Sequence, residues 1–249
     1  MIHWYFIHFN KSDTAFPLYL LSPNLFIMQH EIMYKPAYTL LEVKLEAGER
    51  IESESGAMVY MSPGIEIATK AKGGVFGALA RGLLGGESFF TNTFTASSKG
   101  IIGLAPPYQG DIAHHRLNGE TLYIQSGSYM ASSPELSLDT KWGGAKSFFS
   151  REGLFLLKMA GTGDAFISSF GAIHEVKLRG ESFIIDTGHM VAFTEGLEYS
   201  VKRVGGLKST IFSGEGLVAE FRGTGTLYLQ TRSMNSFIGW LMPFLPKGG

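Results

Sequence analysis

Paired glycines recur three times at a fixed spacing, and this repeat constrains the fold more than any other feature of the chain. In each case a strand-like segment ends in a Gly-Glu step, and a second glycine follows eight residues after the first. The pairs are Gly48 and Gly56, Gly119 and Gly127, and Gly180 and Gly188. Tight turns between strands often need a positive φ angle, which glycine adopts without steric strain. The pattern therefore predicts three homologous β units with turns at equivalent places.

Between the turns, apolar and polar residues alternate with the period of two that is typical of a half-buried strand. The alternation is clear over residues 41–45, 65–69, 197–201 and 217–221. Each run is short and is bounded by Gly, Pro or Ser, whereas a helical period is almost absent. We therefore predict an all-β fold in which three pseudo-repeated β units form a compact barrel or β-sandwich-like body.

The repeats also predict the domain organisation. The three units cover about residues 38–105, 106–171 and 172–232. With a C-terminal tail they form one all-β domain over residues 33–249. Residues 1–32 show neither the alternation nor the glycine punctuation. We expect this stretch to be an extension outside the fold, and an over-long start is one explanation for it.

Composition excludes several classes of protein. The net charge is −1, with 21 basic and 22 acidic residues, so the clustered positive charge of a general nucleic-acid binder is missing. The chain has no cysteine, which excludes disulfides, a thiolate nucleophile and cysteine-bound metal clusters. These features fit a reducing compartment. We expect a cytoplasmic protein, with peripheral contact to a membrane as an alternative.

The familiar catalytic motifs are absent from the sequence. Glu152, Asp186 and His189 are the best candidates for acid–base chemistry, but a carboxylate or histidine beside a turn glycine more often forms a local hydrogen bond. His114 and His115 are adjacent, so on a strand they point to opposite faces and cannot chelate one ion. His174 lies on a different strand. We therefore predict no catalytic, cofactor-binding or metal-binding residues.

Two apolar segments suggest contacts with other molecules. Residues 73–86 form a glycine-flanked insertion whose only charge is Arg81, and residues 237–246 are apolar and contain Pro243 and Pro246. The prolines should end any helix early. Exposed apolar surface usually marks an interface, so we expect the insertion to pack in a closed homotrimer and the tail to dock on the body or on a partner subunit. Membrane contact and a lid over a ligand are the alternatives for the insertion.

Several short motifs between about Tyr38 and Arg232 resemble one known family. In chain order they are Gly48-Glu49, Glu54-Ser55-Gly56-Ala57-Met58, Gly85-Gly86-Glu87-Ser88-Phe89-Phe90, Pro106-Pro107-Tyr108-Gln109-Gly110-Asp111-Ile112, Gln125-Ser126-Gly127-Ser128-Tyr129, Asp186-Thr187-Gly188-His189 and Gly223-Thr224-Gly225. The combination and order are similar to those of the "altered inheritance of mitochondria" family number twenty-four.

The resemblance implies a fold similar to the tryptophan RNA-binding attenuation protein, with three β units about a pseudo-threefold axis, and assembly as a homotrimer. Fungal members are linked to the organisation of the mitochondrial inner membrane, and prokaryotic members have no assigned activity. The resemblance implies no catalytic residues.

Three classes of function are compatible with these observations. The first is a non-catalytic oligomeric scaffold or interaction protein. The second is a small-ligand-binding or RNA-binding module, by analogy with the fold alone. The third is an enzyme with a polar site between repeat units, for which the sequence offers only the residues Glu152, Asp186 and His189.

Overall fold

A computed structural model describes residues 27–71, 90–139, 156–203 and 217–246. These residues form sixteen β-strands and one α-helix, so the predicted all-β class is confirmed. The first part of the chain contains β1 (His30–Met33), β2 (Leu40–Leu45), β3 (Arg50–Glu54), β4 (Met58–Met61), β5 (Ile65–Ala71), β6 (Phe90–Ala96) and β7 (Gly100–Leu104). The second part contains β8 (Ile112–Gln125), β9 (Tyr129–Ser132), β10 (Ser137–Asp139) and β11 (Leu156–Ser168). The third part contains β12 (Ile173–Arg179), β13 (Phe183–Asp186), β14 (Met190–Thr194), β15 (Leu197–Arg203), β16 (Leu217–Gln230) and helix α1 (Met234–Leu241).

The strands form two open antiparallel sheets. The smaller sheet has the order β1-β2-β7-β4. The larger sheet has twelve strands along the path β12-β16-β14-β8-β11-β9-β3-β6-β5, with β10 on β11 and with β13 and β15 on β16. Among the described residues, the strand at each end of these paths pairs on one side only. Of the two predicted forms, a barrel or a β-sandwich-like body, a closed barrel is not formed by the described residues, because none of their ladders joins the two ends of either sheet.

One pattern of strand pairing occurs in all three parts of the chain. The strand that begins before the first glycine of each pair is bonded to the last strand of its part, as β2 to β7, β8 to β11, and β12 to β16. The strand that follows the second glycine of each pair is bonded to the same last strand, as β4 to β7, β9 to β11, and β14 to β16. This shared topology is compatible with three homologous units. Superposition of the three parts remains the test of that prediction.

Two ladders join the parts to one another. Strand β9 pairs with β3, and β14 pairs with β8 in the equivalent way. The corresponding ladder between β4 and β13 does not occur among the described pairings. Main-chain hydrogen bonds therefore join the first part to the second and the second to the third. No such ladder joins the third part to the first among the described pairings.

The first glycine of each predicted pair makes a turn or bulge with a positive φ angle. The angles are +87° at Gly48, +106° at Gly119 and +109° at Gly180. A Cβ atom at these positions would meet no atom within 4 Å, so the backbone conformation, and not a lack of space, requires glycine. Of the second glycines, Gly56 also has a positive φ angle, whereas the other two lie in short 3-10 turns over Ser126–Ser128 and Thr187–His189.

The predicted alternation gives the buried face of β2 but only part of that of β5. Leu41, Val43 and Leu45 on β2 are at most 2% exposed. On β5, Ile65 is buried as expected, but Ile67 is 43% exposed, because β5 is an end strand with a partner on one side only. The buried residues form three clusters, one in each part of the chain. Each cluster contains residues of a neighbouring part, so the parts pack against one another.

The ends of the described chain differ from expectation in one respect. Residues 30–32, which the sequence assigns to the extension, form part of β1 and pair with β2. At the other end, α1 begins after Ser233, whose Oγ accepts from the backbone N–H of Ser236, and it ends before Pro243. The apolar insertion at residues 73–86 lies outside the described residues. No helix in the described part of the chain is long and apolar enough to cross a membrane.

Candidate functional site

Two of the candidates for acid–base chemistry make hydrogen bonds to backbone groups. Asp186 Oδ1 accepts a hydrogen bond from the backbone N–H of Gly188 at 2.7 Å. His189 Nδ1 donates to the backbone carbonyl of Gln230, also at 2.7 Å. Asp186 thus has its partner within the turn between β13 and β14, whereas the partner of His189 is the last residue of β16. Glu152, the third candidate, lies outside the described residues.

The two adjacent histidines of β8 contact different strands. His114 Nε2 donates to Asp164 Oδ1 on β11 at 2.8 Å, whereas His115 Nδ1 hydrogen bonds with Tyr228 Oη on β16 at 2.8 Å. Burial lowers the pKa of His115. His174 is exposed on β12. Within the described ranges, no group of three or more His, Asp or Glu side chains is arranged to hold a metal ion.

The glutamates of the repeated Gly-Glu step all bind the backbone of their own turn. Glu49 Oε2 accepts from the N–H of Glu46 at 2.8 Å. Glu120 accepts from the N–H of Asn118, two residues earlier, and the equivalent glutamate of the third part also accepts from the N–H two residues earlier, at 2.9 Å. These carboxylates therefore stabilise their turns. The sequence favours the same interpretation, because each glutamate stands beside a turn glycine.

The most buried carboxylate of the described residues was not identified from the sequence. The side chain of Asp164 is fully buried on β11 and accepts from His114 Nε2 and Arg116 Nη1, both at 2.8 Å, and from the backbone N–H of Met28 at 3.0 Å. Burial raises the pKa of Asp164, but these hydrogen bonds and the charge of Arg116 outweigh it and lower the pKa to about 2. Arg116 pairs directly opposite Asp164 in the β8–β11 ladder. The cluster therefore joins three distant parts of the sequence.

A cavity of about 270 Å³ with polar and apolar walls lies where strand ends from all three parts meet. We call it the junction cavity. Its polar walls include Glu54 at the end of β3, Gln125 at the end of β8 and Gln230 at the end of β16. The linkers between the parts supply Tyr108 and Phe170. One signal in the sequence points here, since Glu54 and Gln125 both stand two residues before the second glycine of their pair.

Hydrogen bonds hold the walls of the junction cavity in place. Gln230 Nε2 donates to the carbonyl of Gly188 at 2.8 Å, and Gln230 Oε1 accepts from the N–H of Phe170 at 2.9 Å. Tyr108 Oη donates to the carbonyl of Gly127 at 2.7 Å. The Tyr108 and Phe170 rings meet edge to face, with centroids 5.9 Å apart. The cavity is therefore formed by groups whose own hydrogen bonds fix their positions.

The C-terminal segment presents a large apolar surface, which we call the tail surface. Its residues are 42% to 70% exposed: Phe237, Ile238, Trp240, Met242, Phe244 and Leu245. Phe237 packs edge to face on Phe170 at a centroid distance of 5.6 Å. A second, largely apolar cavity of about 430 Å³ lies between α1 and the linkers and shares Phe170 and Ser233 with the junction cavity. The tail thus docks on the body along one edge and leaves its outer face open.

Comparison with known proteins accounts for this architecture. Residues 30–232 match the model of the family described as Mitochondrial biogenesis AIM24. The chain belongs to the AIM24 family. An uncharacterized protein of Streptococcus pyogenes serotype M6 is 30% identical over 217 residues, which are 84% of this chain and 88% of the relative. The AIM24 fold also matches a crystal structure of a Streptococcus pyogenes protein with a TM-score of 0.73 and 29% identity, covering 88% of this chain and all of that one.

Proposed function

We propose that this AIM24-family protein is a non-catalytic oligomeric scaffold or interaction protein that assembles as a homotrimer. In this proposal the three parts of the chain are homologous units about a pseudo-threefold axis, with a fold like that of the tryptophan RNA-binding attenuation protein. The tail surface is the observation that carries the proposal. The shared strand pairing of the three parts supports the repeat.

The tail surface is unusual for a monomer that remains alone in water. No charged residue occurs between Arg232 and Lys247, and the helix within this stretch has no buried residue. Burial of apolar area contributes roughly 25 cal/mol per Å², and contiguous exposed patches of this kind mark interaction sites. A cyclic trimer would cover the same surface on every copy without open-ended growth.

The chemistry of the described residues also favours a structural role. Asp164 and the turn glutamates use their hydrogen bonds within the fold. The AIM24 relative named above is uncharacterized, and the family's description connects it with mitochondrial biogenesis. We place this protein in the cytoplasm, where the tail surface would contact a second copy, a partner protein or a membrane surface.

Mutation of the tail surface tests this proposal. Trp240→Glu with Phe244→Glu places two charges on side chains that are 63% and 70% exposed, so the folded protomer should tolerate them. We expect light scattering to show a trimer for the native protein and a smaller species for the double variant. Ile67→Glu is the matched control, since Ile67 is a 43% exposed apolar residue on β5 and its change should leave the trimer intact. A double variant that stays trimeric would exclude the tail surface as the contact.

Small-ligand binding is the second candidate, and the junction cavity is the observation that favours it. RNA binding receives no similar support, because the net charge of −1 does not attract a phosphate backbone.

A further inference from the structure

We propose that strand β13 of one copy of the chain pairs with strand β4 of a second copy, and that this ladder continues the ladders that join the parts within one chain. The inference rests on the proposed function and deepens it, because it names the two strands through which the copies assemble. Three observations support it: the register of the existing ladders, the burial of equivalent residues, and the apolar character of both strands.

The two ladders between parts have the same register. In each of them, the residue three positions before the second glycine of one part pairs with the residue four positions after the second glycine of the next part. The neighbouring pair, one position further along each strand, also matches. The pairs are Ser53 with Ala131 and Glu52 with Ser132 in one ladder, and Ile124 with Ala192 and Tyr123 with Phe193 in the other. One geometry therefore joins successive parts of the chain.

This geometry leaves one strand at each end of the chain without a second partner. Strand β13 precedes the second glycine of the third part, as β3 and β8 do in their parts. Strand β4 follows the second glycine of the first part, as β9 and β14 do. Among the described pairings, β13 is bonded to β16 alone and β4 to β7 alone. Each chain thus carries one free edge of each kind, and a free edge can accept a further strand through main-chain hydrogen bonds.

A bulge shared by all three parts shows what the free edge of β4 lacks. The third residue after the second glycine falls out of register at Val59 in β4, at Met130 in β9 and at Val191 in β14. Met130 and Val191 are 0% exposed, whereas Val59 is 56% exposed. Met130 packs in the core cluster of the first part and Val191 in that of the second. The neighbouring part therefore buries this position, and Val59 has no such neighbour within the described chain.

The expected register brings apolar side chains together. It places Ile184 of one copy opposite Met61 of the next copy, and Ile184 is 62% exposed. At the same place in the β8–β14 ladder, the rings of Tyr123 and Phe193 stack with their centroids 4.9 Å apart. Opposed side chains thus touch across the ladder at this position. An isoleucine against a methionine would make the equivalent contact between two copies.

Neither strand carries the charges that commonly protect an edge strand from pairing. Strand β4 contains no charged residue. The one charged residue of β13 is Asp186, and its Oδ1 accepts from the backbone N–H of Gly188. The sequence of both edges is therefore compatible with a buried ladder.

The two free edges differ, so the contact is head-to-tail. Every copy would use its β13 with one neighbour and its β4 with the other. A contact of this kind forms a ring when the rotation between copies closes and a fibre when it does not. Closure after three copies would give the proposed trimer.

Cysteine cross-linking of mixed variants tests the ladder. The chain has no cysteine, so Met61→Cys and Ile184→Cys each introduce a single thiol. The two variants are mixed, dissociated in urea, refolded together and oxidised. We expect a disulfide-linked dimer on a non-reducing gel, because opposed Cβ atoms of an antiparallel pair lie about 4.5–5.5 Å apart, close to the span of a disulfide. Ile67→Cys with Ile184→Cys is the matched control and should give no dimer, since Ile67 is an exposed apolar residue on the end strand β5.

A charge at the contact gives a second readout. Ile184→Glu would bury a carboxylate against Met61 of the neighbouring copy, whereas the folded protomer should tolerate it at an exposed site. We expect light scattering to show a threefold fall in mass for Ile184→Glu and no change for Ile67→Glu.

Three results would overturn the ladder. The first is the absence of a cross-linked dimer from mixed variants that both fold. The second is a disulfide within one protomer when Met61→Cys and Ile184→Cys are placed in the same chain, since the chain would then close on itself. The third is a native mass for Ile184→Glu. A trimeric mass without the cross-link would retain the trimer and reject the ladder, whereas the cross-link in an assembly of another size would retain the ladder and reject the trimer.

Discussion

Glu181 accepts a hydrogen bond from the backbone N–H of Arg179 at 2.9 Å, across the turn made by Gly180. The hydrogen bonds from its own backbone N–H and from that of Arg179 lower the pKa of Glu181. Glu49 and Glu120 bind their turns in the same way. The repeated Gly-Glu step is therefore a structural unit in which glycine supplies the backbone conformation and glutamate supplies the acceptor.

Alanine at glycines with a positive φ angle should destabilise the protein to different extents. At Gly180 only the positive φ angle is unfavourable, and we expect Gly180→Ala to cost about 1 kcal/mol. At Gly223, with a φ angle of +117°, a Cβ atom would also lie 2.1 Å from the carbonyl oxygen of Gly196, so Gly223→Ala should cost about 3 kcal/mol. Urea unfolding measures both values.

Gly239→Ala is the control for this series. Gly239 lies within α1, its φ angle is not positive, and a Cβ atom there would meet nothing within 4 Å. Alanine should raise the stability of the helix by up to about 1 kcal/mol. Equal effects at Gly180 and Gly223 would show that the close approach to Gly196 does not limit side-chain size.

The Asp164 cluster should make stability depend on pH in the acid range. The folded pKa of about 2 lies below the value of about 3.9 for an unfolded aspartate. The carboxylate thus stabilises the fold fully above about pH 4, and this contribution is lost as the pH falls through the folded pKa. Asp164→Asn should cost about 3 kcal/mol at pH 7, since it leaves Arg116 without its buried counter-ion.

Unfolding measured at pH 7, 4 and 3 checks this expectation. The free energy of unfolding of the native protein should fall on acidification, and that of Asp164→Asn should fall less. Parallel pH dependence in the two proteins would mean that other carboxylates cause the acid sensitivity.

The strands and turns could be predicted from sequence because their causes are local. Alternation over residues 41–45 requires one buried face, and the Gly-Glu step specifies a turn wherever it occurs. Alternation left a barrel and a β-sandwich-like body open, because closure depends on which strands pair at the ends of the sheets, and alternation carries no information about partners. The exposure of Ile67 could not be predicted for the same reason. An end strand and an internal strand show the same alternation in sequence.

The Asp164 cluster could not be predicted because it depends on register. Asp164 stands in the middle of a strand, and its partners His114 and Arg116 lie about fifty residues earlier. Only the β8–β11 ladder places Arg116 directly opposite. The junction cavity could be predicted in part, since two of its polar residues stand at matched positions before the second glycine of their pairs. Tyr108 and Phe170 could not be predicted, because they come from linkers in which no repeat occurs.

Replacing His189 by Gln should leave fold and assembly unchanged. The ring makes one hydrogen bond, from Nδ1 to the carbonyl of Gln230, and a glutamine amide can donate to the same acceptor. We expect an unaltered circular dichroism spectrum and an unaltered mass, and no loss of activity. Turnover in the native protein that disappears in His189→Gln would support the enzyme alternative instead.

General nucleic-acid binding should be absent. The 21 basic residues are balanced by 22 acidic residues, so few counterions would be released on contact with a phosphate backbone. Filter binding with single-stranded RNA and duplex DNA at about 150 mM salt should show no saturable complex. Tight binding of RNA under these conditions would favour the RNA-binding alternative over the scaffold.

The mass of the native protein in solution tests the central claim most directly. The protomer has a mass of 27.2 kDa, and multi-angle light scattering at micromolar concentration should give three times this value if the tail surface is covered in a closed trimer. A mass of one protomer, unchanged on raising the concentration, would contradict the oligomeric scaffold.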